Sequence, residues 1–231
     1  MNLTNLQIIK EEILKYQEAL YANNGRLERA QQSDQVLKAL ESHFIKQYGP
    51  INIIETGASH SWDDGIMGLM FANISQRTGG RIWIVDIDPT ILKKSMDVFA
   101  AHGIDCAEFI TSDSVSFLNE FDLEVDLIHL DSWDLNLLDP YPAALHGWRE
   151  FDAIKDKVKK DTIIIVDDNY FQDSWVEWVT IGHASKIITI TDPIVGKGAH
   201  IWAFAKSSNE WDLISEDVIG NNCKIIIKKI K

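Results

Sequence analysis

The chain of 231 residues alternates short β-branched runs with segments whose apolar residues recur at helical spacing. The runs fall at 51–54, 81–86, 105–110, 124–131 and 162–167, and the helical patterns lie between them. This alternation predicts an α/β domain: a Rossmann-like, mostly parallel sheet with helices on both faces. The last two runs are largely apolar before their acidic ends, which is typical of central strands that are buried on both faces.

Two amphipathic helices are expected ahead of the first strand. Residues 4–22 place apolar side chains on one face, and a second stripe begins at Ser33. We assign 1–48 to an N-terminal helical extension and 49–231 to the main domain. The extension is expected to pack on that domain; a lid over a site or a homodimer contact is the alternative.

The C-terminal part is predicted from shorter patterns. The segment from Pro142 is expected to form a crossover helix, and SWVEWV, after the fifth run, a short helix. Residues 186–193 and 200–206 are expected to pair as strands of a hairpin across a glycine-containing loop. The closing NCKIIIKKIK is expected to be an edge strand.

Composition narrows the classes of partner. With 35 acidic and 22 basic residues the net charge is −13, which repels phosphate backbones and anionic lipids, so neither nucleic acid nor a membrane is an expected partner. Cys106 and Cys223 lie far apart without nearby histidines, which favours neither a disulfide framework nor a zinc site. No apolar run reaches the ~20 residues needed to cross a bilayer. We expect a soluble, cytoplasmic protein.

The candidate functional residues lie where the predicted strands end. The first run stops at Glu55 and then Gly57, a residue that can turn tightly and let a ligand approach the main chain, before a helix predicted from Asp63. Asp86 ends the second run, where a carboxylate can accept hydrogen bonds from ribose hydroxyls. Asp88 directly precedes a proline and is the better helix cap.

The third run leads into Ser112 and Asp113, at a strand end and helix start. Asp113 is equally compatible with a helix cap and with an acceptor for an adenine amine. Both interpretations stay open at this point.

The fourth and fifth runs end in acidic groups that should meet at one edge of the sheet. Asp131 follows the fourth run, and Asp168 and Asn169 follow the fifth. Two carboxylates and an amide oxygen are hard ligands that suit a divalent cation, Mg²⁺ above all. Alternation along the strand should turn Asp167 to the other face. His146, near the start of the crossover helix, is more often structural than catalytic in such a position.

Together, the motifs ETGAS, DIDP, SDS, LDSWD and VDDN resemble, over roughly residues 50–206, those of class I S-adenosylmethionine-dependent methyltransferases. LDSWD with VDDN is similar to the metal-dependent O-methyltransferases of the catechol O-methyltransferase type. The resemblance implies a seven-stranded sheet with an antiparallel last strand and a cation held by Asp131, Asp168 and Asn169. It also implies a set of residues around the cofactor, namely Glu55, Gly57, Ala58 and Ser59 at its methionine part, Asp86 at the ribose, Ser112 and Asp113 at the adenine, and Asp131 nearby.

The chain departs from the catechol enzymes at the residue that serves as their base. Their lysine is replaced by Asp134, so Asp131, Asp134 and His146 become the candidate catalytic residues. The function predicted is O-methylation of a small molecule, with a divalent cation orienting the acceptor. The alternatives are an NAD-dependent oxidoreductase, whose further glycines are missing from the turn at Gly57, and a non-catalytic cofactor-binding protein.

Overall fold

A computed structural model of the chain describes residues 3–22, 27–61, 66–178, 186–217 and 222–231. Over these residues the elements follow in the order α1 (Asn5–Ala22), α2 (Leu27–His43), β1 (Ile53–Thr56), α3 (Met67–Thr78), β2 (Ile82–Asp86), α4 (Pro89–Ala101), β3 (Ala107–Thr111), α5 (Ser114–Glu120), β4 (Leu127–Leu130), α6 (Tyr141–Ile154), β5 (Ile163–Phe171), β6 (Trp175–Trp178), β7 (Lys186–Thr189), β8 (Ile194–Gly196), α7 (Ala199–Ser207), β9 (Trp211–Ser215) and β10 (Cys223–Lys229). The predicted parallel strands and the crossover helix are present close to their expected bounds.

The main sheet has eight strands, of which β1 to β5 lie parallel in the order β3-β2-β1-β4-β5. β10 pairs antiparallel with β5 and carries β9 on its outer side, and the short β8 pairs with the end of β5. The predicted α/β class with an antiparallel last strand is confirmed, although the sheet has eight strands where the resemblance implied seven. Because the strand order reverses between β1 and β4, a crevice is expected at their carboxyl ends.

Helices cover both faces of the sheet, and β5 illustrates how. Ile163 and Ile165 belong to a core cluster shared with α1 to α4, whereas Ile164 and Val166 belong to a second cluster shared with α6 and α7. All four side chains are fully buried. An apolar residue at every position is what a central parallel strand requires, since both of its faces pack against helices.

The N-terminal helices pack on this chain's own sheet. Ile9, Ile13 and Leu20 of α1 are fully buried in the same cluster as α3. Gln35 of α2 donates from its amide to the Lys224 carbonyl at 2.6 Å and accepts from the Lys224 N–H at 3.0 Å. The apolar stripe of α1 is therefore used within the chain, as the packing interpretation predicts, and a homodimer contact stays a prediction.

Three expectations for the C-terminal part are wrong. Residues 200–206 lie in α7, not in a strand, and Ile201 and Ala205 are buried one helical turn apart. The described part of SWVEWV is the strand β6, which pairs antiparallel with β7. The closing segment is not an edge, because β9 covers the outer side of β10. Short apolar segments satisfy helical and strand periods alike, so tertiary pairing decides between them.

α3 begins at Met67, whereas the pattern predicts a start at Asp63; residues 62–65 lie outside the described ranges. Among the helices that the structure describes, none combines the length and the apolar character needed to cross a bilayer.

Candidate active site

A cleft of about 570 Å³ opens at the carboxyl ends of the parallel strands. Ligand sites in proteins commonly enclose about 300–1,000 Å³, so this cleft has room for a nucleoside-sized molecule. We call the walls built by the ends of β1, β2 and β3 the β2 side. The walls built by the ends of β4, β5 and β8, together with the start of α6, form the β5 side.

Gly57 makes the turn that opens the β2 side. Its φ of 83° lies in the left-handed region, and its N–H donates to the Val85 carbonyl at 2.8 Å. A Cβ at this position would lie 2.6 Å from the Asp131 carbonyl oxygen. Both the backbone angle and the close approach to the loop after β4 therefore require glycine. Ala58 and Ser59 continue the wall of the cleft.

Asp86 stands at the tip of β2 and borders the cleft. One carboxylate oxygen accepts from the Ala58 N–H and the other from the Asp88 N–H, each at 2.8 Å. Each oxygen retains a further lone pair, so the carboxylate is held in place and can still accept from a ligand. Asp88 lies outside the cleft wall and caps α4 by accepting from the Thr90 N–H at 2.7 Å, as predicted.

Ser112 and Asp113 complete the β2 side. Asp113 caps α5: it accepts from the Ser116 N–H at 2.8 Å and from the Ser116 hydroxyl at 2.9 Å. The backbone hydrogen bond lowers the pKa of this carboxyl. The cap interpretation of Asp113 is therefore correct, and the residue borders the cleft as well.

Glu55 does not reach the cleft wall. Its side chain is buried, and Oε1 lies 3.1 Å from Nδ1 of His129. A Cβ on Gly68 would lie 1.9 Å from the other carboxylate oxygen, so the start of α3 packs directly over it. Burial raises the pKa of Glu55. The structure thus places Glu55 beneath the Gly57 turn, where it supports the loop and has no exposed face toward a ligand.

Lys197 forms ion pairs with two carboxylates of the β5 side. Its ammonium lies 2.6 Å from Oδ1 of Asp131 and 2.9 Å from Oδ2 of Asp168, and it also donates to the Asp131 carbonyl at 3.2 Å. Burial favours the neutral amine, but the two carboxylates outweigh it and raise the pKa of Lys197. The carboxylates that the sequence brings together are therefore already bridged by a positive charge of the chain.

Burial, reinforced by the charges of Asp167 and Asp168 and opposed by Lys197, raises the pKa of Asp131. Its side chain still has 29% of its surface exposed to the cleft, so solvent moderates this rise. Asp131 therefore takes up a proton more readily than a carboxyl in water does.

A second buried pair lies directly behind the first. Lys224 is 1% exposed, and its Nζ lies 2.6 Å from Oδ1 of Asp167. Nε2 of His129 lies 3.8 Å from the other oxygen and has no hydrogen-bond partner among the described residues. Burial alone would favour the protonated carboxyl, but Lys224 and His129 outweigh it and lower the pKa of Asp167. Asp167 also borders the cleft, so the expectation that it turns to the other face is wrong.

Asn169 does not join the carboxylates. Its Oδ1 accepts from the Gly198 N–H at 2.7 Å, and its amide donates to the carbonyls of Val166 and Asp167, each at 3.0 Å. The side chain is fully buried. Asp168 has a left-handed backbone with φ of 52°, which breaks the alternation of the strand and turns Asn169 inward.

The divalent cation expected from the sequence does not fit this arrangement. Among the described residues, His129, Asp131 and Asp167 offer ligand atoms within 4.8 Å of one another. Lys197 and Lys224 already neutralise these carboxylates, and like charges repel strongly in a partly buried site. The oxygen of Asn169 is committed to the Gly198 N–H. A metal ion would have to displace an ammonium group that is held by two carboxylates.

His146 takes part in a hydrogen-bond network at the opening of the β5 side. Its Nε2 lies 2.9 Å from Oγ of Ser132 and 3.1 Å from Oγ of Ser114. Ser132 in turn donates to the buried Glu150 at 2.6 Å. With the Ser132 proton directed to Glu150, the tautomer of His146 that donates from Nε2 to Ser132 carries its lone pair on Nδ1.

Trp133 and Asp134 form the rim beside His146. The Trp133 and His146 rings lie 5.1 Å apart at their centroids, although 55% of Trp133 is exposed. Asp134 is exposed and borders the cleft. This rim gives the open end of the cleft one apolar surface and one hydrated carboxylate.

No family model and no curated protein matches the chain. Among solved structures, a mutant of MtNAS in complex with S-adenosylmethionine is similar over 98% of this chain and 73% of that chain, with a TM-score of 0.51 and 15% identity. A candidate methylase of Haemophilus influenzae is similar over 86% of this chain and 88% of that chain, with a TM-score of 0.51 and 13% identity. The fold is that of the class I methyltransferases.

TrmN from Thermus thermophilus has the same fold, with a TM-score of 0.55 and 13% identity, over 85% of this chain but only 49% of that chain. Identities this low establish the methyltransferase fold alone. They do not single out the catechol O-methyltransferase type within it.

Within this methyltransferase fold, the sequence interpretation missed four residues of the site: Ser132, Glu150, Lys197 and Lys224. Ser132 and Glu150 carry no recognisable signal, since isolated serines and helical glutamates are common. Lys197 stands between Gly196 and Gly198 in a loop next to predicted strands, and a lone cation framed by glycines could have drawn attention to it. Lys224 resembles any lysine of a solvent-facing strand until its burial is known.

Proposed function

We propose that this chain is an S-adenosylmethionine-dependent methyltransferase that methylates an oxygen of a small molecule. The observation that carries this proposal is the β2 side of the cleft. There a glycine turn and a fixed carboxylate, Gly57 and Asp86, stand on neighbouring strands at the point where the strand order reverses.

The residues of the β2 side fit the methyl donor. Asp86 would accept from the ribose hydroxyls through its remaining lone pairs, and the open backbone at Gly57 and Ala58 would border the methionine part. Ile87 is 72% exposed on the same wall and offers an apolar surface to a purine ring. S-adenosylmethionine would supply a methyl group on a positively charged sulfur, and the net charge of −13 favours such a cation.

His146 is the best placed group to receive the acceptor's proton. In the tautomer that donates from Nε2 to Ser132, the lone pair on Nδ1 would act as a general base. The acceptor oxygen would bond to the methyl carbon, the electrons of the broken S–C bond would stay on sulfur, and the hydroxyl proton would pass to Nδ1. Asp131 is committed to Lys197, and Asp134 is exposed to water, so both are weaker candidates for this role.

A small acceptor suits the β5 side better than a nucleic acid. Four aspartates but one lysine line the cleft there, namely Asp131, Asp134, Asp167, Asp168 and Lys197, and this excess of negative charge would repel a phosphate backbone. Trp133 offers an aromatic surface next to His146. A compact hydroxylated molecule can lie against such a rim without bringing phosphates near these carboxylates.

The experiment is a calorimetric titration of the chain with S-adenosylmethionine, and with NAD as the competing ligand. Asp86→Ala should weaken donor binding about 10- to 150-fold, since a hydrogen bond to a charged group contributes about 1.5–3 kcal/mol. The matched control is Asp88→Ala, which removes a helix cap outside the cleft and should leave donor affinity unchanged. Unchanged affinity in a folded Asp86→Ala variant, or preferential binding of NAD, would overturn the proposal.

A further inference from the structure

The sequence predicts a divalent cation at the position where the structure has the ammonium group of Lys197. Lys197 is 3% exposed, and its ammonium bridges Asp131 and Asp168, which end two neighbouring parallel strands. A lysine has three N–H donors. Two of them form hydrogen bonds to Oδ1 and to the carbonyl of Asp131, and the ammonium also forms an ion pair with Asp168.

The backbone around Lys197 holds it against β5. Gly196 pairs with Asn169 in register and has a φ of 138°. A Cβ there would lie 2.1 Å from the Asp168 carbonyl, and a Cβ on Gly198 would lie 2.8 Å from Oδ1 of Asn169. The Gly-Lys-Gly segment is therefore packed directly on the strand end, which fixes the backbone position from which the Lys197 side chain reaches Asp131 and Asp168.

The crossover helix closes the same segment from the other side. A Cβ on Gly147 of α6 would lie 2.3 Å from the Lys197 carbonyl. The side-chain amide of Asn169 also holds this segment, because its oxygen accepts from the Gly198 N–H at 2.7 Å. The amide that the sequence assigned to a metal ion thus helps to position the lysine.

We propose that Lys197 is the resident cation of the β5 side and replaces a divalent metal there. Its ammonium neutralises Asp131 and Asp168 and fixes the two strand ends relative to each other, which is the structural task of a bridging ion. The side chain is buried against these two carboxylates, so it acts as a positioning residue and does not itself bind the acceptor. Removing the ammonium should leave a cluster of carboxylates that attracts a metal ion.

The test is a titration with Mn²⁺, followed by electron paramagnetic resonance, in which the signal of the hydrated ion falls as it binds. Wild-type protein should show no saturable binding up to millimolar Mn²⁺. Lys197→Met should acquire a site at least about tenfold tighter than any in the wild type, and Mg²⁺ should compete for it. Lys206→Met, which removes an exposed lysine outside the cleft, should behave as the wild type does.

Two further samples keep the proposal falsifiable if Lys197→Met does not fold. The double variant Lys197→Met with Asp168→Asn removes both charges of one pair, and it should fold and bind no Mn²⁺ tightly. The second sample is the wild type, compared with Asp168→Asn. Saturable Mn²⁺ binding by the wild type at micromolar concentration that Asp168→Asn abolishes would overturn the proposal. A folded Lys197→Met variant with no gain in Mn²⁺ affinity would overturn it as well.

The consequence for catalysis rests on the proposed function, but the metal titration does not. If the chain is a methyltransferase, S-adenosylmethionine binding and turnover should be unaffected by EDTA. Failure to bind the donor while Lys197→Met gains a metal site would overturn the function and leave the role of Lys197 intact. Donor binding together with tight Mn²⁺ binding by the wild type would support the proposed function and overturn the role of Lys197.

Discussion

The two sides of the cleft are built on different physical principles. On the β2 side, Gly57, Asp86 and Asp113 are fixed by short-range contacts to backbone N–H and carbonyl groups, and they stay accessible. On the β5 side, charged side chains are held by one another: Lys197 by two carboxylates, and Lys224 by Asp167. The β2 side is thus a surface prepared for a ligand, whereas the β5 side is a charge network that must stay complete to be stable.

The two sides should therefore respond differently to substitution. Breaking a backbone contact on the β2 side should weaken ligand binding or one helix end. Removing one charge on the β5 side leaves its partner buried and unpaired, which is far more costly.

The largest expected effect is on the β5 side, from Lys224→Met. The substitution keeps most of the volume but leaves Asp167 buried without its cation, so the free energy of unfolding should fall by about 3–5 kcal/mol. Urea denaturation measures the loss. Lys206→Met is the matched control and should change the stability by less than about 1 kcal/mol. Combining Lys224→Met with Asp167→Asn should restore part of the stability, and no recovery would argue against the pair.

The β2 side should respond next, to Gly57→Ala. Gly103→Ala is the matched control because Gly103 also has a positive φ, of 70°, but open space where a Cβ would lie. In the control, the free energy of unfolding should fall by only about 1–2 kcal/mol, which is the cost of a left-handed backbone for a residue with a Cβ. Gly57→Ala should lose about 1–3 kcal/mol more, because its Cβ meets the Asp131 carbonyl. Equal losses in urea denaturation would mean that the two sides are not in close contact at this turn.

The smallest effect is expected at the cap of α5. Asp113→Ala should lower the free energy of unfolding by about 1 kcal/mol, the usual contribution of a helix cap. Asp113→Ser keeps a capping oxygen and should lose less.

The cap also predicts a pH dependence. The folded protein lowers the pKa of Asp113, so its stabilisation is present above the unfolded pKa and is lost as the pH falls through the folded value. The difference in unfolding free energy between wild type and Asp113→Ser should therefore shrink on acidification. A constant difference would show that the charge of Asp113 contributes nothing.

The same contrast explains what could be predicted from the sequence. Gly57 and Asp86 follow or end a strand and Asp88 begins a helix, which are positions that local patterns predict, and the structure has them there. The roles of Gly57 and Asp86 toward a donor stay predictions. Lys197 and Asp131 are 66 residues apart in sequence, and no local pattern reports that their side chains meet. Asn169 was misplaced because Asp168 adopts a left-handed backbone, which the rule of alternation does not anticipate.

The most direct measurement is a crystal structure of the wild-type protein grown with S-adenosylhomocysteine and Mg²⁺. We expect the ribose hydroxyls within hydrogen-bond distance of Asp86, the sulfur directed toward His146, and the Lys197 ammonium still between Asp131 and Asp168 with no metal density beside it. Nucleoside density away from Asp86, or a metal ion that displaces Lys197 from the two carboxylates, would contradict the assignment of the two sides.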